Sequence, residues 1–468
     1  MTAIAMDEAP VRSDAGWNKF LNWALVWVGL ANIPFMAMWF VGAPPRYFEI
    51  AIAGLVGLVV KRMPQTVQWL AFLCVMIYSI LSFVAGLFNL AMSSLLYSLQ
   101  FFAEIKPSNS AEYIAATIII LGILVASWFL LKRDTNFEKP LHILLGGALI
   151  FGLAGADAAV GQGMRGHYFR EAPVGASFES AVEKSNFTAR ADGKRHLVLI
   201  MVESLGVPRD NQAMKDKLFA YYDNSAIKAR YDVSQGTSLY YNSTTSGEFR
   251  EMCGGWGDYY QLLDPVEAAN ENCMPAQLAN KGYATHAMHS FKGEFFKRAE
   301  WYPNIGFKSQ EFWPELKARG AEWCGGVFAG ACDRQVPKLL SENLKNADQP
   351  TFLYWLTLNA HLPVPTGSNL DVDDCSKTSA LLAEEFPMIC RQLAIFDDID
   401  RALIQEITAS DFPEADILLV GDHMPPYYDR HNRSQFDPER VPWLYLKAKP
   451  RSIKPSKIVA ANGVQTGE

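Results

Sequence analysis

Through residue 163 the hydrophobic positions fall in long unbroken blocks separated by short polar breaks. The run FLNWALVWVGLANIPFMAMWFV (20–41) is long enough to cross a hydrocarbon layer of ~30 Å, which takes ~20 helical residues. Further blocks lie at 47–60, about 67–99, 112–131 and 141–163. The second, 14 residues before Lys61 and Arg62, is short for a span, and the third is longer than one span needs. A cleaved signal sequence does not produce repeated blocks of this kind. The pattern predicts a five-helix transmembrane domain over residues 1–163.

Beyond it the pattern changes. Residues 164–194 are polar and mixed, with SFESAVEKS in the middle, and read as a linker or interfacial segment rather than a surface helix. From 195 to 468 short apolar runs alternate with helical patterns. HLVLIMV within 194–206, YATHAMHS (283–290), TFLYWLTLNAH (351–361), ADILLVGDH (415–423) and VPWLYLKA (441–448) read as strands. Stretches 208–224, 274–281, 333–347 and 379–409 read as helices. Continuous Val/Ile/Leu runs are the mark of strands buried on both faces, and their alternation with helices predicts an α/β domain with a central, mostly parallel sheet.

Charge and cysteine placement add orientation. Arg12, Lys19, Lys61, Arg62, Lys132, Arg133 and Lys139 flank the N-terminal segment and the second and fourth connections, whereas the first and third carry only Arg46 and Lys106. An excess of Lys and Arg marks the cytoplasmic side, so five spans with the N-terminus inside place the α/β domain outside. Six of the seven cysteines fall after residue 250 without a metal-binding C-x-x-C spacing, which fits disulfides in an oxidising compartment. Proximity in sequence pairs Cys253 with Cys273, Cys324 with Cys332 and Cys375 with Cys390. The second pair turns EWCGGVFAGACD (322–333) into a disulfide loop rather than a phosphate loop. A formal charge of −7 with no basic stripe argues against nucleic acid as a partner.

The polar residues of the α/β domain sit at strand ends. Glu203 follows LVLIMV, Asp422 and His423 follow ILLVG, His361 ends TFLYWLTLNA and His289 ends YATHAM. Ligands of open α/β sheets bind beyond the carboxyl ends of the strands. Two carboxylates and an imidazole suit one divalent metal, Zn or Mn. A hydroxyl beside such a site becomes a nucleophile, and NSTTSGEFREMCGG (242–255) supplies several at what reads as the start of a helix, with Ser246 as its cap and Glu248 as a first-turn acid. A helix start also offers backbone N–H groups to phosphate oxygens. Asp397, Asp398 and Asp400 in RQLAIFDDIDRALIQEI read as the solvated face of an amphipathic helix.

The pieces LIMVESLG, NSTTSGEF, HSFKGEFFKRAEWYPNIGF, LNAHLPV and LVGDHMPP, in that order, resemble the membrane-bound lipoteichoic acid synthase and phosphoethanolamine transferase group of the alkaline phosphatase–sulfatase superfamily. The resemblance implies an extracytoplasmic sulfatase-like domain anchored in a bacterial inner membrane. It implies Glu203, Thr244, Asp422 and His423 as metal ligands, Thr244 as nucleophile with Thr245 as its neighbouring rival, and Arg298 as the grip on the head-group phosphate. His361 falls near the entering or leaving oxygen, and His289 in the same pocket. Phe296 stands where the family often has tryptophan, and GDHMPP departs from the DHGE style of the phosphoethanolamine branch, which leans toward phosphoglycerol. The implied donor is phosphatidylglycerol or phosphatidylethanolamine, the acceptor a glycan or lipid. A tethered phosphatase or sulfatase and a non-catalytic assembly subunit are the rivals, and no C-x-P-x-R sulfatase signature occurs.

Overall fold

The computed structural model describes residues 15–36, 45–87, 111–161, 167–168, 170–264, 270–326, 328–427 and 430–450. The apolar blocks are mostly helical where they are described: Ala15–Ala24 continuing through a wider π-helical turn at Leu25–Leu30, a turn at 31–32 and a short helix Ile33–Met36, then Tyr47–Val60, Gln65–Leu87, Ala111–Leu130 and Pro140–Gly161. Two of these, Gln65–Gly86 and Pro140–Val160, are by themselves long and apolar enough to cross a membrane. Residues 37–41, 88–99 and 162–163 of the expected spans lie outside the described residues.

Trp23, Trp27, Phe72 and Ile150 fill the inside of this bundle. The Tyr47–Val60 helix reaches Trp27 through Gly57, where an added Cβ would sit 2.3 Å from the indole. Small residues at such crossings let apolar helices pack closely. Outward the bundle shows Leu21, Val59, Ile118, Leu144 and Phe151. The basic connections meet at one end: Lys19 pairs with Asp134 (2.6 Å), Arg62 with Glu138 (3.2 Å), and Lys61 Nζ donates to Phe137 O (2.6 Å).

The second body is built on a seven-stranded sheet: β1 (His196–Val202), β2 (Tyr231–Leu239), β3 (Ala284–His289), β4 (Ser309–Glu311), β7 (Thr351–Leu356), β8 (Ala415–Gly421) and β9 (Arg440–Ala448), in the order β2-β9-β8-β1-β7-β3-β4. From β8 to β4 all pairings are parallel, and β9 runs antiparallel to both β8 and β2. All five expected strands form. The chain adds β2 and β4 at the two edges, where polar sequences carry no two-sided apolar run. β1 is buried on both faces, with Val198, Ile200 and Val202 in one core layer and Leu197, Leu199 and Met201 in the other. Cys324–Cys332 closes a two-stranded hairpin, β5 (Trp323–Cys324) with β6 (Gly330–Ala331), and Cys253–Cys273 and Cys375–Cys390 also form.

Residues 179–191 do not hang free. A short helix, Ala181–Lys184, is capped by Ser180, and Ala181 and Phe187 are buried in the sheet's second core layer. The acidic run on the Pro387–Thr408 helix also departs from expectation. Asp397 is buried and pairs with Lys217, and Asp400 accepts from Tyr222, because the Ala220–Tyr222 turn packs over that face.

Candidate active site

The register of two central strands creates the site. β1 and β8 pair with Val202 opposite Gly421, so the next residues, Glu203 and Asp422, leave the sheet side by side. Ser204 takes a left-handed conformation (φ 57°), and its N–H donates to Asp422 Oδ1 (2.8 Å) while its hydroxyl donates to Glu203 Oε1 (2.8 Å). The His423 N–H also donates to Asp422 Oδ1 (2.7 Å). One carboxylate oxygen of Asp422 is thereby fixed, and the other, Oδ2, is buried without a hydrogen-bond partner.

His423 is fixed as firmly. Its Nδ1 lies 3.0 Å from the Met424 carbonyl, which only accepts, so Nδ1 carries the proton and Nε2 can present a lone pair. That Nε2 lies 3.2 Å from Asp422 Oδ2, 3.6 Å from Glu203 Oε1 and 3.2 Å from Thr244 Oγ1. Glu203, Asp422 and His423 are all buried, their ligand atoms within 4.8 Å of one another. Burial, and next the Asp422 carboxylate, holds Glu203 well above the usual carboxylate range. A buried set of converging acceptors with one orphaned oxygen is electrostatically incomplete, and a divalent cation would complete it. The residues present fit such an ion.

Thr244 opens the Thr244–Cys253 helix, with Ser243 as its N-cap residue. The expected cap at Ser246 is therefore two residues inside the helix. Thr244 Oγ1 donates to Glu203 Oε2 (3.2 Å), while Thr245 and Ser246 turn away to Asp258 (2.8 and 3.2 Å). Of the two rival hydroxyls, Thr244 is the one against the cluster. The helix comes this close because Gly247 faces Asp422: a Cβ there would meet its Cα, Cβ and O at 3.2 Å.

Glu248, expected as a first-turn acid, lies one turn into the Thr244–Cys253 helix. It is fully buried, accepting from Arg298 Nη2 (2.8 Å) and Nε (3.1 Å) and from the hydroxyls of Tyr302 (2.6 Å) and Tyr354 (3.1 Å). Arg298, expected as the grip on the head-group phosphate, is 2% exposed, with its remaining Nη1 donating to Phe295 O (3.2 Å). Phe296 lies beneath it, ring centroid 5.3 Å from the guanidinium carbon. This pair locks the Arg298–Asn304 helix onto the Thr244–Cys253 helix.

His289 ends β3, buried, with Nδ1 on the Leu356 carbonyl (3.1 Å); burial, then the Arg298 charge, pushes it well below the usual histidine value. β7 ends at Leu356, so His361 lies in the loop beyond it rather than on the strand. Burial, then the nearby His423, lowers it to about 4, and its Nδ1 is taken by Leu362 O (3.0 Å), leaving Nε2 of a neutral imidazole free. Asp333 holds that loop, accepting from the N–H groups of Leu358 (2.8 Å) and Asn359 (2.6 Å).

Sequence reasoning missed Ser204, Asp258, Asp333 and Arg250. Arg250 is fully buried and donates to the carbonyls of Gly421 (2.8 Å) and Asp422 (3.0 Å), with Nε on Glu251 (2.6 Å). Glu251 in turn accepts from the N–H groups of Ala181 (3.2 Å) and Val182 (3.0 Å). The one available signal was the E-x-R-E pattern of 248–251 on a helix that begins at the site.

The fold is thus a mostly parallel α/β sheet whose strand ends carry a carboxylate–carboxylate–imidazole group able to hold a metal ion, with the Thr244 hydroxyl of a helix start against it. The sulfatase family model matches residues 195–450, and the chain belongs to that family. A putative cyclic beta-1,2-glucan modification protein of Rhizobium meliloti (strain 1021) is 28% identical over 157 residues, 31% of this chain and 22% of that protein's length. The lipoteichoic acid synthase LtaP of Listeria monocytogenes aligns at 16% identity over 58% of this chain and 69% of its own, TM-score 0.41. The Streptococcus pyogenes phosphoglycerol transferase GacH aligns at 16% over 56% and 73%, TM-score 0.35.

Proposed function

We propose that this chain transfers a phospho-head-group, phosphoglycerol or phosphoethanolamine, from a membrane phospholipid to an extracytoplasmic glycan or lipid by way of a phosphorylated Thr244. The observation that carries the reading is the position of Thr244 Oγ1, 3.2 Å from both Glu203 Oε2 and His423 Nε2 at a helix start. Glu203, Asp422, His423 and Thr244 would hold one divalent metal, Zn or Mn. Bound there, it supplies Lewis acidity that lowers the pKa of the Thr244 hydroxyl and offsets negative charge on phosphate oxygens.

In the first step the Thr244 Oγ–P bond forms and the bond from phosphorus to the diacylglycerol oxygen breaks. His361 Nε2 takes the threonine proton and returns it to the departing diacylglycerol. In the second step the acceptor hydroxyl attacks phosphorus, gives its proton to His361 Nε2, and the Thr244 oxygen leaves and is reprotonated. The N–H groups of the first turn, which have no partners within the helix, face the phosphate oxygens. In this scheme Arg298 and Glu248 are positioning residues, and His289 lines the pocket.

A lipid donor explains a bundle with an apolar exterior. We assign the five helical segments as five spans, the end holding Lys19, Lys61 and Arg62 as cytoplasmic, and residues 195–468 as the periplasmic catalytic domain behind the 164–194 segment. The glucan named for the Rhizobium relative is one acceptor to try. The test is release of diacylglycerol from labelled phosphatidylglycerol or phosphatidylethanolamine by the full chain in detergent. Release that chelation abolishes, and that Zn²⁺ or Mn²⁺ restores, is expected; no release from either lipid contradicts the proposal.

A further inference from the structure

Between the Pro140–Gly161 helix and the α/β domain the chain packs directly on the proposed reacting centre. Tyr168 follows Gly161 by seven positions, and its buried ring lies 4.7 Å from that of His423, tilted by 58°. We infer that His167 and Tyr168 form a strap through which the membrane anchor sets this centre, with Tyr168 a positioning residue for the His423 imidazole. The inference rests on the proposed metal-assisted transfer and adds to it how the site is held and how near the donor lipid it stays.

The two residues are tied to the two halves of the centre. His167 is fixed on the Thr244 side. Its N–H donates to Pro438 O (2.8 Å), its Nδ1 donates to Tyr240 O (2.9 Å), and its carbonyl accepts from the N–H of Asn242 (3.0 Å), two residues before Thr244. Its ring stacks on that of Tyr241 at 4.1 Å and 14°. Tyr168, next in the chain, reaches the other half, the end of β8 that carries Asp422 and His423. One dipeptide therefore spans the approach to the proposed nucleophile and the imidazole that faces it.

The imidazole has a use for this contact. Its backbone anchor is Nδ1 on Met424 O (3.0 Å), and a ring anchored at one atom can still rock about that bond. Rocking carries Nε2 away from Asp422 Oδ2, Glu203 Oε1 and Thr244 Oγ1, at 3.2, 3.6 and 3.2 Å. An aromatic ring packed at an angle against the imidazole blocks that motion and keeps water from its side of the ring. The strap also limits distance. At no more than ~3.6 Å per residue, the chain from Gly161 cannot place Tyr168 further than ~25 Å from the end of that helix. Lipid phosphates lie just outside the hydrocarbon layer that such a helix crosses, so His423 is kept near them.

The experiment measures Zn²⁺ affinity of the full chain in detergent by competition with a chelating dye. Beside it, the visible spectrum of the Co²⁺-loaded protein reports ligand geometry without turnover. Tyr168→Ala should weaken Zn²⁺ binding at least fivefold and shift the Co²⁺ band; removing a group that orients a ligand commonly costs ~10–100-fold. Tyr168→Phe, which keeps the ring, should stay within twofold of wild type and leave the band in place. A cooperative melt in chelator shows which variants are folded. Should Tyr168→Ala not fold, Tyr168→Leu, which keeps most of the buried bulk without a ring, is read on the same scale. A loss below fivefold in the folded Ala or Leu variant, whatever its thermal midpoint, makes Tyr168 a packing residue and overturns the inference. An equal loss in Tyr168→Phe overturns it too, because the ring contact is then not what holds His423. Wild type that binds neither Zn²⁺ nor Co²⁺ removes the metal site and the inference with it, while diacylglycerol release, assayed separately, decides the transfer reaction.

Discussion

Arg250 grips the backbone of Asp422: its guanidinium donates to the Asp422 carbonyl at 3.0 Å and to that of Gly421 at 2.8 Å, from a fully buried position on the Thr244–Cys253 helix. The fork ties the helix that carries Thr244 to the strand end that carries Asp422 and His423. Groups that orient ligands in this way commonly change metal affinity by ~10–100-fold when removed. Arg250→Lys, which keeps the charge and loses the fork, should weaken Zn²⁺ or Mn²⁺ binding by about that factor, read by competition with a chelating dye. Affinity within twofold of wild type would show that the clamp does not position the ligands.

Thr244 and Thr245 are adjacent and point to different partners, Glu203 and Asp258. Thr244→Ala should reduce diacylglycerol release by at least about 10⁴-fold, as loss of a nucleophile does. Thr245→Ala should keep activity within roughly tenfold and cost ~1 kcal/mol of stability through the lost bond to Asp258. The reverse ranking in a paired kinetic assay would move the nucleophile to Thr245.

Glu248 and Arg298 form a buried pair with two tyrosine hydroxyls in attendance. Removing one partner of such a pair costs ~3–5 kcal/mol, because the other charge is left buried and uncompensated. Arg298→Ala should therefore lower the thermal midpoint strongly, and Glu248→Gln, which retains acceptor capacity for the tyrosines, less so. If Arg298 grips phosphate instead, Arg298→Ala raises KM for lipid at nearly unchanged stability.

These assignments separate what the residue pattern carries from what it does not. Strands β1, β3, β7, β8 and β9 were legible because burial on both faces leaves a continuous apolar run. β2 and β4 were not, since an edge strand is recognised by its neighbour rather than by its own residues. The metal-type cluster was legible because Glu203, Asp422 and His423 each follow such a run. The buried partner of Arg298 was not legible, because a guanidinium near a site looks the same in sequence whether it faces phosphate or a buried carboxylate. Glu248, forty-five residues from Glu203 and fifty from Arg298, became a partner only through the packing of two helices. Asp397 was misread because the turn that covers it lies far upstream.

Asp333 gives a pH signature. Burial raises its carboxyl from 3.8 to about 6 despite donation from Ser290, Asn359 and Leu358. The folded chain therefore holds this proton more tightly than the unfolded chain between pH ~4 and ~6, and stability falls as pH rises through that window. The interval corresponds to about 3 kcal/mol. The stability advantage of wild type over Asp333→Asn should shrink by roughly that amount from pH 4 to pH 7 in denaturant titrations. An advantage that stays constant would contradict a raised Asp333.

The central claim is the covalent role of Thr244. Wild-type protein incubated with phosphatidylglycerol or phosphatidylethanolamine, quenched in acid and digested, should yield a Thr244-containing peptide heavier by one phosphoglycerol or phosphoethanolamine group, with fragmentation placing it on Thr244. Diacylglycerol release without any such adduct, or an adduct that persists in Thr244→Ala, would contradict it.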